Sequence, residues 1–397
     1  MNYRSASSKR SQARWAVAVP ILVAYLCVAS AQLAEAATAA TSSTAAPAAT
    51  PAVTPAAAIA PPASAPATWH EQMRRLADTL IDAYPFFFTL KAFRSPENQQ
   101  TITKLLAQIR TNVHGVPTKQ GENLLGDEPL VKRAQKKMEE SLTEAEVAFQ
   151  QKDYDRSQTL IRSAMSKCVA CHTAQASNLN FPKTNDEMLN IFTPTQDKAM
   201  GLIAIRQFDG ALLAIENSFT GRSKFKQTPD QLFNLAKLHL LVSLRTLNQP
   251  ERARSFLQTA KKDSRLSASS KLSFESWEKS LEAWSPMTSK TPALQLKWIA
   301  ETISSGAAST TTSPDLNFPL ELLRTQLLHK SLTTKLNLKK QAETYRELSS
   351  GYAALKLDVL NELSEIYRQA CIDISKESAG VKCDIEPSVP AMAPAKQ

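Results

Sequence analysis

The sequence predicts an all-α protein. Apolar residues recur at three- and four-residue spacing in stretch after stretch, capping residues open those stretches, and no run alternates apolar with polar long enough to make a strand. The predicted architecture is a four-helix bundle followed by a domain of helical hairpins.

Residues 1–36 begin with Arg4, Lys9, Arg10 and Arg14, continue as an uncharged run from Trp15 to Ala34, and end in small residues. This is the layout of a secretory signal, with Ala29-Ser30-Ala31 or Ala34-Glu35-Ala36 at the cleavage site. An uncleaved run of this length also spans a bilayer, so an anchored form is the rival. Either way the expected location is the periplasm. Cys27 lies inside the apolar run and leaves with the signal if that is cleaved. Residues 37–67 are almost wholly Ala, Pro, Thr and Ser, a composition that buries no core and reads as an extended linker. If the chain stays anchored, this linker is a tether of about 90 Å at about 3 Å per residue.

Order is expected from Thr68. Thr68-Trp69-His70-Glu71 reads as a capping box, and Met73, Leu76, Leu80 and Tyr84 follow on one helical face, with Pro85 kinking or ending the helix. Ser95-Pro96 opens a second helix whose stripe is Ile102, Leu105, Leu106, Ile109 and Val113, ending at His114-Gly115. Asp127 and Pro129 open a third, striped by Val131, Ala134, Met138, Leu142, Ala145 and Phe149. Asp153 caps a fourth, in which Ile161, Ala164, Met165, Cys168 and His172 share a face. Four amphipathic helices with short connections predict an up-down-up-down bundle over residues 68–180.

The fourth helix closes with Cys168-Val169-Ala170-Cys171-His172 in a chain of only five Cys and five His. A Cys-x-x-Cys-His run is the attachment signature of a c-type haem. The two thiols add to the vinyl groups of the porphyrin, and the adjacent histidine reaches the iron as proximal ligand. Cys168, Cys171 and His172 are therefore the candidate haem-binding residues. A thiol redox pair would want a strand-and-helix context, and zinc a further ligand pair; neither is visible. An export signal agrees with haem, since such cytochromes are assembled outside the cytoplasm. The remaining cysteines, Cys371 and Cys383, are an expected disulfide closing a short loop, a stabilisation of about 3 kcal/mol.

A four-helix bundle with the motif at the end of its fourth helix resembles the class II c-type cytochromes, the cytochrome c-prime superfamily. The resemblance covers about residues 69–175, and the chain continues well beyond it, whereas members of that family usually end soon after the motif. It implies one covalent haem c held by Cys168 and Cys171, with His172 proximal. In such a bundle the start of the first helix and the end of the second lie beside the haem, which places Met73, His70 and His114 near the iron. Relatives differ in presenting a helix-one methionine as sixth ligand or leaving the iron open, and Met73 matches that position best. Met165 shares a helix with His172 and is expected beside the porphyrin. For these residues the plain alternatives are core packing for Met73 and exposed helix ends for the two histidines.

The rest of the chain, residues 190–385, reads as paired helices. Thr193-Pro194-Thr195-Gln196 and Thr228-Pro229-Asp230-Gln231 each read as a capping box opening a helix, thirty-five positions apart, and turns are expected in 204–211 and 243–253. The period is similar to that of tetratricopeptide repeats. Further helices are predicted over 269–284, 293–304, 318–336 and 339–375, and a disordered tail over 386–397. His239 and His329, on apolar stretches, are expected to pack rather than ligate.

The expectation is a periplasmic monohaem electron carrier whose helical half docks a redox partner protein, with possible membrane association through residues 15–34. The alternative is a haem-based binder or sensor of nitric oxide or carbon monoxide with an open distal site. A scaffold in which haem only rigidifies the bundle ranks third. No Ser/His/Asp constellation or phosphate loop is present, and no distal His-Arg pair is evident, so the chain is not read as an enzyme. The net charge of +10 is spread without an aromatic-interleaved basic motif, so nucleic acid is not an expected partner.

Overall fold

Thr68 opens the ordered chain as the sequence predicts. Its hydroxyl accepts from the Glu71 amide at 3.3 Å, while Glu71 Oε2 accepts from the Thr68 amide at 2.9 Å, a capping box that starts α1, Trp69–Phe87. The computed structural model describes residues 68–116, 128–174, 193–223, 225–307, 314–332, 336–376 and 381–383, all within one compact unit. The signal or anchor, linker and tail read in 1–36, 37–67 and 386–397 lie outside the described residues, as does Asp127. Among the described residues every regular element is helical, and no helix is long and apolar enough to cross a membrane.

Pro85 sits in the last turn of α1 without ending it before Phe87. A short α2, Leu90–Arg94, and one 3-10 turn at Pro96–Asn98 lead into α3, Gln99–His114, whose predicted stripe is buried throughout. Next come α4, Glu128–Gln150, and α5, Tyr154–Ala174, the latter opened by Asp153, whose carboxylate accepts from the Arg156 amide at 3.2 Å. α1 packs on α3, α3 on α4, and α4 on α5.

Among the described residues the further helices are α6 Thr195–Ala204, α7 Phe208–Phe219, α8 Pro229–Leu240, α9 Pro250–Ala260, α10 Ala268–Trp284, α11 Pro292–Ala307, α12 Phe318–Leu332, α13 Leu338–Leu355 and α14 Asn361–Ser375. Thr228 forms the expected capping box with Gln231, whereas Thr193 forms none: its hydroxyl donates to the Phe88 carbonyl at 3.2 Å, and α6 starts without a side-chain cap. α8 runs on into a π-helical turn, Leu241–Thr246, before the chain reverses at Asn248. The 339–375 stretch, predicted as one helix, is two. Lys356 adopts the left-handed region (φ 45°) and stops α13, and α14 folds back along it. No glycine or proline marks that stop, which is why periodicity alone ran the two together.

Cys371 and Cys383 form the expected disulfide, tying residues 381–383 to α14. One connected apolar core extends from Leu76 in α1 to these cysteines. A smaller cluster joins Trp284, Ile299, Leu320, Leu323 and Leu327.

α5 is covered on several sides. Besides α4, it packs against α6, the π turn and the 3-10 turn Asp358–Leu360. Arg162 on α5 grips Asp197 on α6 through two 3.0 Å hydrogen bonds. Gly201 on α6 lets the Tyr84 ring of α1 approach so closely that a Cβ would stand 2.4 Å from it. Substituting Gly201→Val should therefore push α6 off α1 and destabilise the fold by about 2 kcal/mol, read from chemical denaturation; an unchanged midpoint would contradict this packing.

Two buried histidines make stability depend on pH. His239 stacks on Phe256 and lies 3.0 Å from Glu216; His329 accepts from the Tyr352 hydroxyl at 2.7 Å. Burial pushes both pKa values below the usual 6.5, against the pull of Glu216 for His239 and with the help of Arg245 for His329. Above about pH 6.5 both rings are neutral folded or unfolded, and their contribution is complete; below it the unfolded chain takes up protons that the fold refuses. The unfolding free energy should fall by about 1–2 kcal/mol between pH 7 and pH 5.5, with His329→Phe flattening the slope in urea titrations.

Candidate functional site

The last two turns of α5 are buried on almost every side. From Lys167 to Ala174 only Cys171 is partly exposed. Thr173 returns its hydroxyl to the Val169 carbonyl at 2.8 Å, satisfying one acceptor of the helix end within the helix. Cys168 and Cys171, three residues apart, are neighbours on one face.

That face is one wall of a cavity of about 750 Å³, part of it open to solvent. α5 contributes Lys167, Cys168, Cys171 and His172. α1 faces them with Trp69, Met73 and Leu76, and the end of α3 adds Val113 and Val116. α4 supplies Val131, Ala134, Gln135 and Met138, and the turn after α6 supplies Arg206. A second cavity of about 280 Å³ adjoins it, sharing Leu76, Met138 and Cys168 and reaching Met165.

His172 is 8% exposed, and its Nδ1–H donates to the Ile203 carbonyl at 3.3 Å. Because a carbonyl only accepts, this bond places the proton on Nδ1 and leaves Nε2 with its lone pair. Burial, with Arg206 adding to it, pushes the ring pKa down to about 3, so the imidazole is neutral and able to ligate. The Cys168 thiol is pushed up to about 12 by burial, with Cys171 the next cause. A thiol so protonated is a poor redox nucleophile. Among the described residues no three His, Cys, Asp or Glu side chains gather as a metal-ion cluster.

Polar groups fix the walls. Gln135 Nε2 donates to the carbonyls of Val113 at 2.8 Å and His114 at 2.9 Å, capping the end of α3 from α4. Gln72 Nε2 donates to the Asn112 carbonyl at 2.9 Å and lies under Gly115, where a Cβ would stand 2.4 Å from it. Lys167, 3% exposed, pairs with Glu362 at 3.1 Å and donates to Ser141 and to Ser163.

The structure brings Cys168, Cys171, His172 and Met73 to one cavity. It leaves His70 exposed, its ring edge-on to Trp69 at 5.4 Å, and His114 exposed with its Nδ1 3.2 Å from Glu139; neither lines the cavity. Trp69 was legible only as part of the helix start, although its place one turn before Met73 puts it on the same face. Arg206 was not legible, because it comes from a turn thirty-four positions beyond the motif.

No family model, curated protein or solved structure matches this chain. The reading of the site therefore rests on its own chemistry: two thiols and a lone-pair nitrogen on one wall of an apolar chamber.

Replacing Gln135 with Leu removes the donor from two carbonyls at the cavity wall. The expected result is a loss of about 1–2 kcal/mol of stability and weaker binding of a fluorescent porphyrin by the haem-free protein, measured by denaturation and titration.

Proposed function

We propose that this chain is a monohaem c-type cytochrome that transfers single electrons. The observation that carries the reading is that Cys168, Cys171 and His172 line one apolar cavity, with the His172 Nδ1–H tied to the Ile203 carbonyl. Metal-bound histidines commonly donate their second nitrogen to a carbonyl, which fixes the ring and raises its basicity. Cys168 and Cys171 would hold the porphyrin as thioethers, and His172 Nε2 would take the proximal position. Met73, half-buried on the opposite helix, is the proposed sixth ligand.

The haem, when bound, supplies a reversible one-electron couple. The chain's own part is to hold it dry and oriented: Trp69, Leu76, Val113 and Val131 exclude water, and Gln135 keeps the end of α3 against the chamber. Among the described residues no carboxylate and no second imidazole lines the cavity.

The packing of α1, α3, α4 and α5, with the motif closing the last, supports the proposed likeness to a class II cytochrome bundle. The later helices, proposed as tetratricopeptide-like, are assigned to docking a redox partner, and the periplasm is the proposed site of action.

The test is expression in a host that matures c-type cytochromes, followed by spectra of the oxidised, dithionite-reduced and carbon monoxide-treated protein. Covalent haem should survive denaturation in the parent and be lost in a Cys168→Ala, Cys171→Ala double variant. Met73→Ala should convert a low-spin reduced spectrum to high-spin. A parent spectrum already high-spin and shifted by carbon monoxide would favour the ligand-binding reading, and the absence of covalent haem would end both.

A further inference from the structure

The helices beyond the motif place positive charge against the haem site. Arg245 lies in the π turn Leu241–Thr246, which packs on α5, and its side chain is fully buried at 0% exposure. One guanidinium nitrogen, Nη2, donates to the Tyr352 hydroxyl, and the cation stands 5.0 Å from the Tyr352 ring centre. Nε and Nη1 are buried without a hydrogen-bond partner. Among the described residues no carboxylate lies within ion-pair distance of it: Glu321 on α12 pairs with Arg324 at 3.6 Å instead. The turn that carries Arg245 packs directly on α5, the helix of the motif. Arg206, 5% exposed, reaches the same region from the other side by lining the cavity itself.

A fully buried guanidinium with no counter-charge is expensive, and a well-packed apolar residue of similar volume would serve the fold as well or better. Such a group persists where its charge is used. π-helical turns, moreover, concentrate at functional sites. We infer that Arg245, with Arg206, sets the reduction potential of the haem proposed at Cys168, Cys171 and His172. The inference rests on that reading. When one electron arrives from a donor, the ferric iron becomes ferrous, no bond forms or breaks, and the site loses one unit of positive charge. A nearby cation shielded from water stabilises the product more than the reactant and so raises the potential. Lys167 contributes less because Glu362 already balances it.

The experiment is a redox titration of the intact haem-loaded protein, with thermal unfolding of the same samples. Arg245→Met should lower the ferrous-to-ferric ratio at fixed ambient potential at least tenfold, about 59 mV for a one-electron couple, without lowering the thermal midpoint. Arg245→Lys, which keeps the charge, should stay near the parent potential. Arg206→Met is the second charge deletion and should shift the same way if Arg245→Met yields no folded protein. An unchanged potential in both Met variants, with haem attached, overturns the inference and leaves the haem reading standing. Equal shifts in Arg245→Met and Arg245→Lys would make the effect one of packing and overturn it as well. A parent protein without covalent haem removes both.

Discussion

The constraint on which the fold turns is the burial of the last two turns of α5. A helix end leaves four carbonyls without intrahelical partners, and here it also carries Val169, Ala170 and Ala174, each at most 3% exposed. α4 covers one side of that helix. The others are covered by α6, the π turn after α8 and the turn at Asp358–Leu360. The Ile203 carbonyl is thus part of what covers α5, and it is also the acceptor that sets the tautomer of His172. Covering a helix and orienting an imidazole are one contact.

This explains why so little in the second half is replaceable by a looser packing. Gly201 exists at its place because the Tyr84 ring occupies the space a side chain would need, and α6 could not otherwise lie close enough for Ile203 to reach His172. The Arg162–Asp197 pair holds the same two helices from the rim, with Asp197 largely buried and Arg162 partly so. Paired bidentately, it specifies orientation more than it adds stability.

Much of this was legible in the sequence. The capping boxes at Thr68 and Thr228, the stripe of α3, the start of α5 at Asp153 and the Cys371–Cys383 pairing all follow from local rules, because each depends on residues close in the chain. Cys168, Cys171, His172 and Met73 were legible because a covalent motif and a helix period are short-range patterns. What escaped was long-range or locally unmarked. Lys356 ends α13 in a left-handed conformation that lysine does not advertise. Arg206 and Ile203 join the site through a turn whose sequence resembles any hairpin. Gln135 acts on α3 from α4, and nothing in the stripe of α4 distinguishes it from a solvent-facing glutamine.

The buried polar residues sharpen the distinction between what folds the chain and what its site uses. Around His239 the charges balance: Glu216 lies 3.0 Å from the ring and accepts from Arg252, which also donates to Asp209. Around Arg245 the balance fails: Tyr352, Tyr367 and His329 are neutral partners bonded to one another, and the guanidinium they surround keeps two unmatched nitrogens. Stability alone would favour an apolar side chain at that position, since desolvating an unmatched cation outweighs one bond to a phenol. The same imbalance, set a helix away from the haem proposed at Cys168, Cys171 and His172, would be an electrostatic asset because its field is not cancelled at short range. The arrangement is what is expected if the fold gives up some stability there to hold a charge near Cys171.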